Sequence, residues 1–112
     1  MTDWRKTIVS VDATVQDAIA AIDSGPLHIC LVTDHDGRLV GTVTDGDSRR
    51  ALLRGESILS PVHLVMNKSP HMVTIGTPQD NVLSEMEVYD IRQMPIVDGN
   101  GVPVDVASVD DF

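Results

Sequence analysis

The stretch that decides the fold is Gly41-Thr42-Val43-Thr44-Asp45-Gly46-Asp47, which Ser48-Arg49-Arg50 follows. An apolar run containing β-branched residues ends at Thr44, as expected for a buried strand. A helix is predicted from Asp47 to Arg54, with Gly55 as its C-cap. The stretch therefore predicts a strand that leads directly into a helix, with a hydroxyl and a carboxylate at the corner.

The sequence around this corner occurs twice. Thr14-Val15-Gln16-Asp17 returns as Thr77-Pro78-Gln79-Asp80, 63 positions later (14 against 77), and the following landmarks return 64 positions later (34 against 98). The later matches pair Asp34 with Asp98, Gly37 with Gly101, Val40 with Val104, Thr44 with Ser108 and Asp47 with Asp111. So many matches in the same order indicate an internal repeat.

Each copy has the pattern strand, helix, strand, turn, strand. Thr14 and Thr77 are expected to cap the helices, and the runs Leu27 to Thr33 and Met94 to Val97 to form buried strands. Turns containing glycine follow those runs, and each leads to a returning strand. The prediction is an α+β fold of two β-α-β-β repeats related by a pseudo-twofold axis, residues 1–60 and 61–112.

The second copy lacks the final helix of the first, since the chain ends at Phe112, directly after Asp111. Some apolar sheet surface should then be open. We expect this chain to be a piece of a longer protein, or a partner to cover that surface. Between the copies, Ser57 to Ser69 is expected to be a connector with a short helix at Val62 to Met66.

Composition excludes several classes of protein. The 112 residues include one cysteine and three aromatic residues, and they carry a net charge of −9. A disulfide scaffold is excluded, and broad binding of nucleic acid or of anionic membranes is disfavoured by the charge. No segment resembles a signal peptide or a membrane span, so we expect a cytoplasmic protein.

The corner formed by Thr44 and Asp47 is the candidate binding site. One carboxylate can accept hydrogen bonds from both hydroxyls of a ribose diol. The Thr44 hydroxyl, the free N–H groups of the helix start and the side chains of Arg49 and Arg50 could meet a phosphate. The alternative is that Asp47 only caps its helix.

With these motifs the chain resembles a tandem pair of CBS domains, the module named after cystathionine β-synthase and also called a Bateman module. The resemblance implies a regulatory module that binds AMP, ADP, ATP or S-adenosylmethionine between the copies, with no required cofactor, metal or catalysis of its own. It implies that Thr44 and Asp47 serve one site, and Ser108 and Asp111 the other. Adenine would lie against Ile8 and the segment Leu27, His28 and Ile29.

A narrower resemblance concerns the stretch from Gly41 to Gly55, which is similar to CBS pairs placed before the catalytic domain of bacterial sugar-phosphate nucleotidyltransferases. Sugar-phosphate isomerases with a CBS pair carry a comparable Thr-Asp-Gly-Asp stretch. The resemblance implies a catalytic domain beyond residue 112, which a nucleotide would control, and a homodimer.

The second copy departs from this pattern. Asp105 stands where the first copy has Gly41, and we expect it to join Asp110 and Asp111 in an anionic corner that repels phosphate. The first site should therefore be the competent one. Two alternatives remain: a dimerisation module that binds no ligand, and a small hydrolase or transferase, which the lack of a nucleophile or acid/base pair disfavours.

Overall fold

The computed structural model describes residues 3–112, which form two compact units divided at Pro70 and His71. The first unit contains β1 (Ile8–Ser10), α1 (Val15–Ser24), β2 (Ile29–Thr33), β3 (Leu39–Thr44) and α2 (Asp45–Leu53). The second contains β4 (Val73–Thr74), α3 (Gln79–Val88), β5 (Gln93–Val97) and β6 (Pro103–Ser108). Short 3-10 turns lie at Trp4–Thr7, Val62–Leu64 and Val109–Asp111. The predicted α+β fold of two β-α-β-β repeats is confirmed.

The two sheets have the same pairing and the same register. In the first, β2 pairs in parallel with β1 and antiparallel with β3, and Ile29 lies opposite Thr44. In the second, β5 pairs in the same way with β4 and β6, and Gln93 lies opposite Ser108. Even an irregularity in register recurs, after Val32 and after Ile96. The repeat seen in the sequence is thus a repeat of backbone structure.

The hairpin turns follow the prediction made from glycine. The N–H of Asp34 donates to the carbonyl of Arg38, and Gly37 has a φ of 83°. The second turn repeats this with Asp98, Val102 and Gly101, whose φ is 84°. Glycine adopts such positive φ values without a Cβ penalty, so it suits both turns.

Several predicted element ends were wrong. The helix α2 ends at Leu53 with Arg54, not Gly55, as its C-cap. The strand β5 begins at Gln93, not Met94, and the connector's helix is a 3-10 turn that ends at Leu64, not Met66.

The starts of three further elements also differ from the prediction. The helix α2 begins at Asp45 with Thr44 as its N-cap, so Asp47 lies in the first turn and is not the cap. Pro78, not Thr77, precedes α3 as its N-cap, and the Thr77 hydroxyl donates to the carbonyl of Thr74. The strand β2 begins at Ile29 because His28 has a φ of 57°, which ends extended backbone.

The connector belongs to the first unit. Val62 and Val65 are buried in a core with residues of α1, β2, β3 and α2, among them the buried thiol of Cys30. This is why the compact unit extends to Pro70, ten residues beyond the boundary expected from the sequence repeat. The second unit has a smaller apolar cluster of four buried residues, Val82, Met86, Met94 and Ala107, and Val97 and Val106 are buried outside this cluster.

The end of the second repeat differs from that of the first, as expected. The strand β6 leads into the 3-10 turn Val109–Asp111, at the place where β3 leads into α2. Among residues 3–112, no helix is long and apolar enough to cross a bilayer.

Candidate functional site at a strand-to-helix corner

The register of the first sheet brings the candidate residues to one of its ends. The N-terminal ends of β1 and β2 lie beside the C-terminal end of β3, because Ile8 is opposite Leu31 and Ile29 is opposite Thr44. Leu27 and Ile29 are buried, and Ile8 is half-buried. An apolar surface and the polar start of α2 therefore meet at this end.

Thr44 and Asp47 are held together by a reciprocal capping box. The backbone N–H and the hydroxyl of Thr44 both donate to Oδ2 of Asp47, each at 3.0 Å. In return, the backbone N–H of Asp47 approaches the Thr44 hydroxyl oxygen at 3.3 Å. A capping box satisfies two N–H groups that a helix start leaves free. Oδ2 of Asp47 therefore has a structural role, since it caps the start of α2.

The other carboxylate oxygen of Asp47 contacts Arg50. Nη2 of Arg50 donates to Oδ1 of Asp47 at 2.8 Å, with the arginine side chain 62% exposed and the aspartate side chain 22% exposed. The arginine folds over the backbone of Gly46, where an added Cβ would lie 3.0 Å from Nη1. The oxygen that remains outside the capping box thus already has a cationic donor.

Arg49 has a different partner. Its Nη1 donates to Oδ2 of Asp45 at 3.0 Å, and both side chains are largely exposed. The two arginines therefore do not act as a pair: Arg50 is at the carboxylate of the corner, and Arg49 is one position further round the helix.

His28 is exposed and faces the helices of its own repeat. With Asp23 of α1 and Asp45 and Ser48 of α2 it lines a groove of about 570 Å³. Neither Thr44 nor Asp47 lines this groove. The structure therefore places the exposed His28 side chain toward α1, whereas its two neighbours in the sequence, Leu27 and Ile29, are buried.

The corresponding corner of the second repeat has the same capping interaction. The backbone N–H of Ser108 donates to Oδ2 of Asp111 at 2.9 Å, and the Ser108 hydroxyl oxygen accepts from the N–H of Asp110 at 3.3 Å. Within residues 3–112, neither Asp110 nor Asp111 forms an ion pair with a basic side chain. The two corners share their hydroxyl and carboxylate but differ in charge.

The expectation for Asp105 was wrong. Asp105 lies opposite Ile96, three residues before Ser108 on β6, which is about 10 Å along a strand. Because side chains alternate between the faces of a sheet, Asp105 also points away from the side of Ser108. Its carboxylate instead accepts from the N–H of Val106 at 2.8 Å. Asp105 is not part of the anionic corner.

The sequence reasoning also missed what approaches Gly41. An added Cβ there would lie 2.5 Å from Sδ of Met66 and 3.1 Å from the carbonyl oxygen of Asn67. The absence of a side chain at Gly41 thus allows the connector to pack closely against β3. The ion pair of Arg50 with Asp47 could have been found, since residues three apart on a helix are neighbours.

Comparison with known proteins supports the interpretation that the chain contains two copies of one unit. The model of the CBS domain matches the chain twice, over residues 4–54 and 62–112. A protein of Rickettsia prowazekii, RP505, is 31% identical over 93 residues, which are 83% of this chain and 29% of that protein. The arabinose 5-phosphate isomerase GutQ of Escherichia coli K12 is 29% identical over 107 residues, 93% of this chain and 32% of the isomerase. The chain spans about a third of the length of these curated relatives.

Solved structures share the fold. The CBS domain protein PAE2072 from Pyrobaculum aerophilum, complexed with AMP, has a TM-score of 0.83 and 22% identity, covering 99% of this chain and 89% of that one. The cytosolic domain of the Mg²⁺ channel MgtE, in complex with ATP, has a TM-score of 0.78 and 26% identity, covering 94% and 42%. With both repeats matched and the whole architecture shared, the chain belongs to the CBS-domain family and is a tandem CBS pair.

Proposed function

We propose that the chain is a cytoplasmic regulatory module, without catalysis of its own, that binds an adenosine-containing nucleotide at the corner of Thr44 and Asp47. The observation that carries this proposal is the state of the Asp47 carboxylate. Oδ2 is held by the capping box, so the carboxylate has one orientation, while Oδ1 accepts, among residues 3–112, only from the exposed Arg50. AMP in PAE2072 and ATP in the MgtE domain are the ligands of two proteins of the same fold.

The binding step follows from this geometry. The ribose diol donates to Oδ1 of Asp47 and replaces the guanidinium of Arg50 there, since both are donors to the same oxygen. The released guanidinium then faces a phosphate of the same ligand, with which it forms charge-assisted hydrogen bonds. Adenine lies against the half-buried Ile8 at the same end of the sheet, where the buried Leu27 and Ile29 lie beside it.

The test measures the binding of AMP, ADP, ATP, S-adenosylmethionine and GTP. Calorimetry gives the dissociation constant of each ligand, and thermal unfolding with and without the ligand gives the change in melting temperature. A ligand at 100 times its dissociation constant adds about 2.7 kcal/mol to the free energy of unfolding. For about a hundred residues this raises the melting temperature on the order of ten degrees. No binding by any adenine compound would contradict the proposal.

A matched pair of variants then locates the site. Asp47→Asn should weaken nucleotide binding at least tenfold, because a hydrogen bond to a charged group contributes about 1.5–3 kcal/mol. Asp17→Asn is the control, since Asp17 forms the same capping box with Thr14 at the start of α1. Asp111→Asn should leave affinity unchanged, because we propose the second corner, without a basic partner, to be weak or empty. Equal losses in all three variants would contradict this assignment.

A dimerisation module without a ligand is the second candidate. Among the described residues, the carboxylate of Asp47 accepts hydrogen bonds from Thr44 and Arg50, which both lie at the start or in the first turns of α2. A purely structural role requires no other partner. Leu53 of α2 is 81% exposed and could contribute to a homodimer. Light scattering with and without nucleotide separates the candidates, since this one predicts a dimer that no nucleotide stabilises.

We further propose that the module controls an enzyme of sugar-phosphate metabolism in the same protein. The relatedness to arabinose 5-phosphate isomerases favours an isomerase. The expected nucleotidyltransferase has no such support from these relatives. Nucleotide-dependent activity assays of the full-length protein with both substrate classes decide between the two. Coupling between sites is typically about 1–3 kcal/mol, so a change of about five- to 150-fold in substrate affinity is expected.

A further inference from the structure

The second repeat carries an open apolar groove. The cavity measures about 200 Å³ and is lined by Val73, Ile75, Gly76, Ile96, Val104 and Asp105, among others. Ile75 is 62% exposed, and Val73, Ile96 and Val104 are half-buried. Asp105 is an exposed charged residue in this lining. The groove lies three residues along β6 from the Ser108 corner, so it is separate from the site proposed above.

The first repeat shows what fills this place. Val11 of the first repeat corresponds to Ile75 of the second. The N–H of Val11 donates to the carbonyl of Thr33, and the N–H of Ile75 donates to the carbonyl of Val97, each the last residue of the neighbouring strand. Gly41 likewise corresponds to Asp105, since each lies opposite the residue before the strand irregularity. In the first repeat this place is occupied by the connector, with Met66 packed on Gly41.

The connector is held there by backbone hydrogen bonds. The N–H of Val62 donates to the carbonyl of Ala13 at 2.8 Å, and Asn67 exchanges two hydrogen bonds with Thr42. Val62 is fully buried as the apolar anchor of the segment. The backbone between these two contacts forms the 3-10 turn at Val62–Leu64. A filled groove therefore needs a segment with such a turn, an aliphatic residue at the place of Val62, and a residue four positions later at the place of Met66.

The second repeat keeps part of this arrangement and changes the rest. The carbonyl of Thr77, which also lines the cavity, is the counterpart of Ala13 and accepts no backbone hydrogen bond from residues 3–112. In contrast, the N–H of Val106, the counterpart of Thr42, donates to its neighbour Asp105. The groove thus retains an acceptor for an incoming N–H. At the place of Met66, however, it offers a carboxylate and no longer the space above a glycine.

We propose that this groove docks a segment of a partner polypeptide that forms a short turn like that of the connector, with an aliphatic residue and, four positions later, a lysine or arginine. The segment donates an N–H to the carbonyl of Thr77, buries its aliphatic side chain against Val73, Ile75 and Ile96, and places its cation at Asp105. Charge complementarity selects this partner, because an exposed carboxylate that has no basic partner among residues 3–112 favours a basic residue over a thioether.

The test uses two synthetic peptides with the connector sequence, residues 57–69: one unchanged, and one with Met66→Lys. Titration into the full chain is followed by amide chemical shifts in NMR. We expect the Met66→Lys peptide to shift the amide signals of Ile75, Thr77, Ile96 and Val106, and to bind at least tenfold more tightly than the unchanged peptide. Absence of shifts at these residues, shifts confined to the first repeat, or tighter binding of the unchanged peptide would overturn the proposal.

Variants of the groove sharpen the result. Asp105→Gly should reverse the preference in favour of the unchanged peptide, because the space above a glycine is restored. Asp105→Asn should abolish the preference for lysine without creating one for methionine, and Asp110→Asn, an exposed aspartate at the other end of β6, should change neither. A preference that survives in both Asp105 variants would also overturn the proposal, and melting curves establish that each variant is folded.

Discussion

At the scale of single residues, Arg50 has the most direct consequence for binding. Its guanidinium contacts the one oxygen of Asp47 that the capping box leaves outside, and Gly46 provides the space in which it lies. Exposed ion pairs of this kind contribute about 0.2–1 kcal/mol to stability. A ligand can therefore displace Arg50 at a small cost in free energy, and a phosphate on that ligand gives the arginine a new partner.

Arg50→Gln should consequently separate nucleosides from nucleotides. Adenosine should bind up to about fivefold more tightly, because it no longer displaces an ion pair of up to about 1 kcal/mol. AMP should bind about tenfold more weakly, because the charged donor to its phosphate is lost. Calorimetry of both ligands is the measurement, with Arg49→Gln as the control, since Arg49 pairs with Asp45. A change of the same sign for both ligands would argue against the exchange of partners.

A second prediction at this scale concerns His35 and Asp12. Nε2 of His35 lies 2.6 Å from Oδ2 of Asp12, and this hydrogen bond, aided by the charges of Asp12, Asp34 and Asp36, raises the pKa of His35 above its ordinary 6.5. A raised pKa in the folded state means that the pair stabilises the fold below about pH 6.5 and that this stabilisation is lost as pH rises through the folded pKa. NMR titration should show the pKa of His35 falling toward 6.5 in Asp12→Asn, and an unchanged value would refute the assignment.

At the scale of elements, the connector is a structural part of the first repeat. It buries Val62 and Val65, pairs with Thr42, and supplies carbonyls to the first turn of α1, where the N–H groups of Val15 and Gln16 donate to Ser60 and Ile58. A helix start leaves its first N–H groups without partners inside the helix. The connector thus completes the capping that Thr14 and Asp17 begin.

Gly41→Ala should loosen the connector. The added Cβ would lie 2.5 Å from Sδ of Met66 and 3.1 Å from the carbonyl oxygen of Asn67, so the Met66 side chain or the connector backbone must shift, and overpacking of this kind costs about 1–3 kcal/mol. Chemical denaturation should report that loss in the free energy of unfolding. Gly99→Ala is the matched control, because a Cβ at Gly99 would contact nothing within 4 Å. Equal stability of the two variants would mean that Met66 adapts without cost.

At the scale of the whole molecule, the two repeats have unequal cores. Ten buried residues form the apolar cluster of the first repeat, and four form that of the second. Segments with few buried apolar contacts open more readily, and their amides exchange faster with solvent. The common backbone architecture therefore has two different local stabilities.

Hydrogen exchange should reveal this difference. Amides of β5 should exchange faster than those of β2, although the two strands have the same pairing and register. Native-state exchange measured by NMR is the experiment, with the strands compared at the four positions where both carry an amide, since Pro95 of β5 has none. Equal protection would show that the smaller core opens only with the larger one.

Much of this structure could be predicted because it depends on neighbours in the chain. The turns at Gly37 and Gly101, the hydroxyl–carboxylate pairs at Thr44 and Ser108, and the duplication itself all rest on residues within a few positions of each other. Predictions of element ends were wrong where two neighbouring residues could each take the same position at a helix start. Pro78 and Thr77 could each precede α3, and Asp47 could be either the cap of α2 or, as observed, the third residue of its first turn.

The sequence by itself determined the two repeats, their strand and helix order and the chemical groups at each corner, since short-range hydrogen bonds and the alternation of apolar residues specify these. Only the tertiary structure decided that Met66 packs on Gly41, that the connector completes the first repeat, and that Asp105 lines a groove away from Ser108. The physical reason is distance along the chain: Met66 and Gly41 are 25 positions apart (66 against 41), and no local preference of either residue encodes their contact.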